Sequence, residues 1–283
     1  MKALTVLRSR LAHWEQDLPA SWRQVLGGTL LNWDSPALEY ELRPGEAILP
    51  APDGGHLWRA FENTDPRKVR AVLLGQDPYP NATWATGRAF EQGGLAEWPD
   101  EPRRLAASLR RMVQAMVAAR TGDAAYAAGD RAWKKLAGDA RGGRIRLEPP
   151  RELFDRLERE GVLFLNASLT LSVLERPGAR KQSRRHFPLW EPLTQRVLRW
   201  LASRQSGCAV FLLLGRVSAH VFDRSGAQGV ADHAGTWKKK VDAVRHCHPA
   251  AIDSRGAAFL LPPNPFRTVN NLLRRMGGSP VSW

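Results

Sequence analysis

Four apolar runs, residues 69–74, 162–165, 210–214 and 241–244, are each followed at once by residues capable of chemistry. The first runs into Gly75-Gln76-Asp77-Pro78-Tyr79, the second into Asn166, the third into Gly215-Arg216 and the fourth into His246-Cys247-His248-Pro249. Gathered in one place, these side chains suit a flat heterocycle bonded to a sugar. Asn166 offers a donor and an acceptor on one planar group, the pattern that a pyrimidine edge presents in return. Tyr79, or Phe90 in the loop beyond it, offers a ring face for stacking. Asp77 would place negative charge beside a carbon becoming cationic, and His248 a donor beside an oxygen becoming anionic. Taken singly, each has a plainer explanation. An Asp after a strand often caps a helix, an Asn there often closes a turn, and a loop His is usually surface. The coincidence at several strand ends is what favours a shared site.

For these residues to meet, the apolar runs must be neighbouring strands. The second and third are continuous rather than alternating, as in strands covered on both faces. Between the runs lie stretches with helical spacing, at 105–118, 151–160 and 190–203. That alternation predicts an α/β fold, a central and mostly parallel four-stranded sheet flanked by helices, with the ligand at the carboxyl edge of the strands. The chain reads as a single domain over residues 1–283. Residues 121–150, rich in Ala, Gly, Arg and Lys, read as an inserted basic surface segment with a short helix near 130–136. Residues 34–55, punctuated by Pro and Gly, read as a long surface connection.

The 283 residues include 42 Lys and Arg against 28 Asp and Glu, a formal net charge of +14, and 43% are hydrophobic. The hydrophobic share permits a sizeable core. The charge favours a polyanionic partner, nucleic acid first. Two cysteines, Cys208 and Cys247, exclude a disulfide framework and a four-thiolate iron–sulfur cluster. They fit a reducing cytoplasm. The first residues lack a signal-peptide apolar core, and no apolar run approaches the roughly 20 residues of a spanning helix, so no membrane partner is expected. His246, Cys247 and His248 are adjacent, unlike the ligands of one ion, and no second cluster has metal-ligand spacing, so neither a metal nor another cofactor is expected. A phosphate-binding loop, a dinucleotide fingerprint and a Ser nucleophile elbow are all missing.

Gly75-Gln76-Asp77-Pro78-Tyr79 resembles the water-activating motif of the main, ubiquitous branch of uracil-DNA glycosylases. Gly87-Arg88-Ala89-Phe90 stands where that family has its Gly and Phe. Residues 162–170 resemble the family's Leu-rich strand with its uracil-reading Asn, and His248-Pro249 the start of its DNA-intercalation loop. Residues 269–272 and 278–283 are similar to its end, so the resemblance runs from about 48 to 283, apart from 121–150. It implies a monofunctional, metal-free DNA repair enzyme that flips uracil out of single- or double-stranded DNA, cuts its N-glycosidic bond and leaves an abasic site. Asp77 would polarise the attacking water and stabilise the oxocarbenium-like sugar. His248 would hydrogen-bond the uracil O2, Asn166 would read the base edge, and Phe90 would stack on it. Tyr79 would exclude the C5 methyl of thymine, and Gln76 would contribute through its backbone. No Lys falls in a matched motif, so hydrolysis without a Schiff base is expected. The implied partner is uracil-containing DNA, bound by a monomer. The alternative is a same-fold glycosylase or binder acting on another lesion or on abasic DNA.

The chain departs from the family where DNA is gripped. Pro80 replaces the usual His after the Tyr, which stiffens that contact and removes an N–H. The intercalation loop reads His248-Pro249-Ala250-Ala251-Ile252-Asp253, with Ile252 as the apolar wedge and no phosphate-gripping Ser. Arg255 lies just beyond. Arg103 and Arg104 stand in the Pro-rich loop, and Arg185 in a stretch, 180–186, that is His-rich in the family. Together they predict charge gripping of the DNA backbone in place of hydroxyl pinching, with a plain solvated basic face as the alternative.

Overall fold

The computed structural model describes residues 1–50, 56–174, 182–254 and 256–283. Its strands in chain order are β1 (Glu46–Leu49), β2 (Ala71–Gly75), β3 (Val162–Asn166), β4 (Leu171–Leu174), β5 (Gln182–Arg185), β6 (Ala209–Leu214) and β7 (Val241–His246). The helices are α1 (Ala3–Arg10), α2 (Ala20–Leu26), α3 (Arg59–Glu62), α4 (Ala107–Thr121), α5 (Ala132–Arg141), α6 (Pro150–Arg159), α7 (Phe187–Ser203), α8 (Arg216–Ser225), α9 (Ala227–His233) and α10 (Pro265–Arg275).

The central sheet has the order β3-β2-β6-β7 and is parallel throughout. The runs 162–165 and 210–214 lack polar alternation because β3 and β6 are covered on both faces. Val72, Leu74, Leu163, Leu165, Phe211 and Leu213 face a core closed by α1, α2, α7, α8 and α9, with Trp22 and Trp190 fully buried in it. Ala71, Leu73, Phe164, Val210 and Leu212 face the other core, closed by α4, α5, α6 and α10 around Trp133 and Trp283. Each buried Leu, Val or Phe side chain contributes about 1.5–3 kcal/mol. Two such cores anchor the sheet, so its carboxyl edge is a rigid platform.

A second, three-stranded antiparallel sheet, β1-β4-β5, lies beyond the end of β3. Sequence periodicity misses it. Residues 34–55, expected to be only a surface connection, in fact carry β1, whose Ile48 and Leu49 are buried. β5 is four polar residues, Gln182–Arg185, stabilised by pairing with β4 rather than by an apolar face. The pairing sets Arg185 opposite Leu171, just past the end of β3. In the 121–150 segment the helix begins at Ala132 and runs to Arg141, longer than expected, because Trp133, Leu136 and Ala137 are buried there. Among the described residues no helix is long and apolar enough to cross a membrane.

Candidate active site

The parallel register sets Gly75 at the end of β2 beside Asn166 at the end of β3. The two strands approach closely there. A Cβ on Gly75 would sit 2.5 Å from Asn166 Oδ1 and 2.9 Å from Ala89 Cβ, so only glycine fits. The Asn166 side chain is therefore packed tightly, with the residue only 3% exposed. Even so, it makes no hydrogen bond to any described residue, and its polar atoms line a cavity of about 220 Å³. That volume lies below the ~300 Å³ where pockets for drug-sized ligands begin, and is right for a single heterocycle. The unused donor and acceptor of the carboxamide are open to the cavity and so to a ligand.

Gln76, Asp77, Tyr79, Pro80, Phe90 and His248 line the same cavity. Phe90 is held in an unusual backbone conformation at φ +66°. A bulky residue keeps that conformation only where its surroundings enforce it. The enforcement is visible on both sides. Gly87 turns at φ +101°, where a Cβ would overlap His56 O. Ala89 N–H donates to Phe164 O at 3.0 Å. Beneath the turn, buried Arg88 donates to Glu91, Asp155 and Glu158 at 3.1, 2.5 and 2.7 Å. Tyr79 forms another wall. Its hydroxyl shares a hydrogen bond with Ser108 Oγ at 2.7 Å and donates to Phe90 O at 3.3 Å, and Trp84 packs edge-on against its ring. Burial drives its phenol pKa upward, so it stays neutral.

His248 is brought in by the loop after β7. Gly215, at φ +94°, permits this approach, since a Cβ there would meet His248 Cβ at 3.0 Å. Burial lowers the imidazole pKa despite the nearby Asp77 charge. The Ala250 N–H donates to Nδ1 at 3.1 Å. A neutral ring that accepts at Nδ1 carries its proton on Nε2, so Nε2–H is the donor available to the cavity. Asp77 is desolvated, which raises its carboxyl pKa; Gln76 and Arg185 pull it back. Both act on the same atom: Gln76 Nε2 donates to Oδ2 at 3.2 Å and Arg185 Nε at 2.9 Å. Among the described residues, Oδ1 accepts no hydrogen bond.

Of the DNA-gripping residues expected from the sequence, Pro80 lines this cavity, while Arg103, Arg104 and Ile252 stand on separate loops. Pro80 is exposed at its rim, Arg103 and Arg104 are exposed on a 3-10 turn, and Ile252 is 73% exposed at the tip of the His248 loop. Arg255 lies outside the described residues. Arg185, expected only as a backbone contact, is the ion-pair partner of Asp77. Sequence reasoning assigned no role to Arg216. It stands exposed at the end of β6 and lines an adjoining cleft with His246, Cys247 and His248. Its position after an apolar run was the only available signal.

No family model matches the chain. It is 28% identical over 247 residues to Uracil-DNA glycosylase 1 of Streptomyces coelicolor, a match that covers 87% of this chain and 85% of that one. The crystal structure of wild-type UNG from Nitratifractor salsuginis superposes with a TM-score of 0.59 at 23% identity, over 96% of this chain and 97% of that one. Mimivirus uracil-DNA glycosylase superposes with a TM-score of 0.52 at 18% identity, over 83% and 74%. The sequence match and the shared fold each extend over most of the chain. In sequence and in fold, then, most of the chain is similar to uracil-DNA glycosylases.

Proposed function

We propose that this protein is a monofunctional uracil-DNA glycosylase acting on single- and double-stranded DNA and leaving an abasic site. The observation that carries the reading is the unspent Asn166 carboxamide in a slot walled by Phe90 and Tyr79, with Asp77 and His248 on the same lining. A flipped uracil places its alternating edge on Asn166 and its face on Phe90. The Tyr79 ring, immobilised by Ser108 and Trp84, occupies the space that a 5-methyl group needs. Exclusion by shape is required, because thymine presents the same hydrogen-bonding edge.

Bond breaking sends the C–N electron pair into the uracil ring, where charge collects on O2. His248 Nε2–H meets that charge as a neutral donor and keeps its proton. The sugar left behind is cationic at the carbon, and the Asp77 carboxylate stands against it. Desolvation raises the basicity of Asp77, which suits it to take the proton as water adds to that carbon. The new hydroxyl completes the abasic product. We read the chain as one domain, working as a monomer in the cytoplasm; its two unpaired cysteines fit a reducing compartment.

The test is release of free uracil from a single-stranded oligonucleotide in the presence of EDTA. Wild type is expected to release it, and Asp77→Asn to lose about 10³-fold in single-turnover rate while still binding DNA. No release by wild type, or an equal rate from Asp77→Asn, refutes the assignment.

A further inference from the structure

The 121–150 segment contributes one carboxylate, Asp130, that two consecutive arginines of α4 share. Arg111 Nε and Nη2 donate to its two oxygens at 2.7 and 2.8 Å, and Arg110 Nη2 pairs with it at 3.0 Å. Each arginine then spends another N–H on a loop that flanks the cavity. Arg110 Nη1 donates to Pro102 O at 2.9 Å, in the turn that carries Arg103 and Arg104. Arg111 Nη1 donates to Pro249 O and Ala251 O, both at 3.0 Å. Those carbonyls bracket Ala250, whose N–H sets the His248 ring. Consecutive helix positions point about 100° apart, so the two guanidinium groups would diverge without a common anion. Arg111 is 2% exposed, whereas the Asp130 side chain is 42% exposed. The anion is thus the part that can be altered without opening a core.

We propose that Asp130 is a positioning residue: through Arg110 and Arg111 it fixes the spacing between the 102–104 turn and the 248–253 loop, and so holds His248 and Ile252 in register with the cavity. The two arginines also hold the Asp130 carboxyl down at about 2, so the brace stays charged at any working pH. A guanidinium released from Asp130 loses the anion that fixes its direction, and the carbonyls it held are free to move with it. The catalytic consequence rests on the glycosylase reading; the geometry does not. The wedge at Ile252 matters most where a base pair must be opened, so duplex DNA is the more sensitive substrate.

Asp130→Ala, Asp130→Asn and the conservative Asp130→Glu separate these points. Hydrogen exchange on the DNA-free protein reads the brace alone. Faster exchange at 103–105 and 250–256 together in Asp130→Ala, with the sheet unchanged, supports it; unchanged exchange in either loop overturns it. Single-turnover uracil release reads the consequence. The expected loss is about tenfold on duplex and under threefold on single strands, from a displacement of the donor and wedge. Asp130→Glu is expected to recover most of the duplex rate. An equal loss on both substrates, or none, overturns the positioning role. If wild type releases no uracil while the exchange result holds, the brace stands and the glycosylase reading falls.

Discussion

At the scale of single residues, Asp77 is held by neighbours that oppose the task proposed for it. Gln76 and Arg185 both engage Oδ2 and leave Oδ1 facing the cavity. Arg185 also sets a cation beside the carboxylate that, in the proposed reaction, answers a cationic sugar. Its side chain is 53% exposed while that of Asp77 is 17% exposed, so the guanidinium is the half of the pair that a DNA phosphate can reach. Replacing it has a definite sign. Burial raises the Asp77 pKa and Arg185 lowers it, so Arg185→Gln raises it further. The acid limb of the kcat/KM profile then moves to higher pH. The same variant loses one phosphate contact, which reduces the salt slope of DNA binding by about 1. An unmoved acid limb would show that Arg185 does not govern the carboxylate. Asp77, Asn166 and His248 were legible in the sequence because each follows an apolar run. The grip of Arg185 on Asp77 was not. It depends on β5, a polar strand with no periodic signature, pairing with β4.

At the scale of elements, the turn that presents Phe90 rests on α6 through a buried charge cluster. Arg88 and Arg59 stand against Glu91, Asp155 and Glu158, with exposed Arg151 at the outer side of Asp155. Burial pushes the Glu158 carboxyl up to about 7, and its Oε1 has no hydrogen-bond partner. A carboxyl raised in the folded state adds stability that is complete below its unfolded pKa near 4.5 and is lost as pH climbs to about 7. His186, which leads into α7, has the opposite sign. It is buried against Thr170 and Ser172, and burial lowers its pKa to about 4. Its contribution is complete above the ordinary value near 6.5 and fades as pH falls towards 4. Between about pH 4.5 and 6.5 the two slopes offset one another. Glu158→Gln keeps the shape and removes one of them. Its unfolding free energy, followed by denaturant titration at several pH values, is expected to rise across that range while wild type stays flatter. Parallel pH profiles for the two proteins would show that Glu158 does not titrate there.

At the scale of the whole molecule, the net charge is +14, with Arg103 and Arg104 exposed on one turn and Arg185 beside Asp77. Each phosphate neutralised on a single strand contributes about −0.7 to the slope of log affinity against log salt. Four to five such contacts predict a slope near −3, measured by anisotropy between about 50 and 200 mM salt. A flat response would make the basic face a solvated surface and nothing more. The positive field speeds encounter with any nucleic acid, so discrimination falls to the slot at Asn166.

The sequence by itself determined the parallel four-stranded sheet, because continuous apolar runs and helical spacing are local signals of burial. It also determined that a carboxylate, a carboxamide and an imidazole sit at strand ends, since those residues border the runs. Tertiary structure alone decided which partners those groups have. Arg185 on Asp77, the hold of Phe164 on the turn at Phe90 and the Asp130 brace all join residues far apart in the chain. Contacts of that kind arise only after the two cores have closed on the sheet. No periodicity encodes them, because a salt bridge or a donated N–H is specified by where two backbones come to rest.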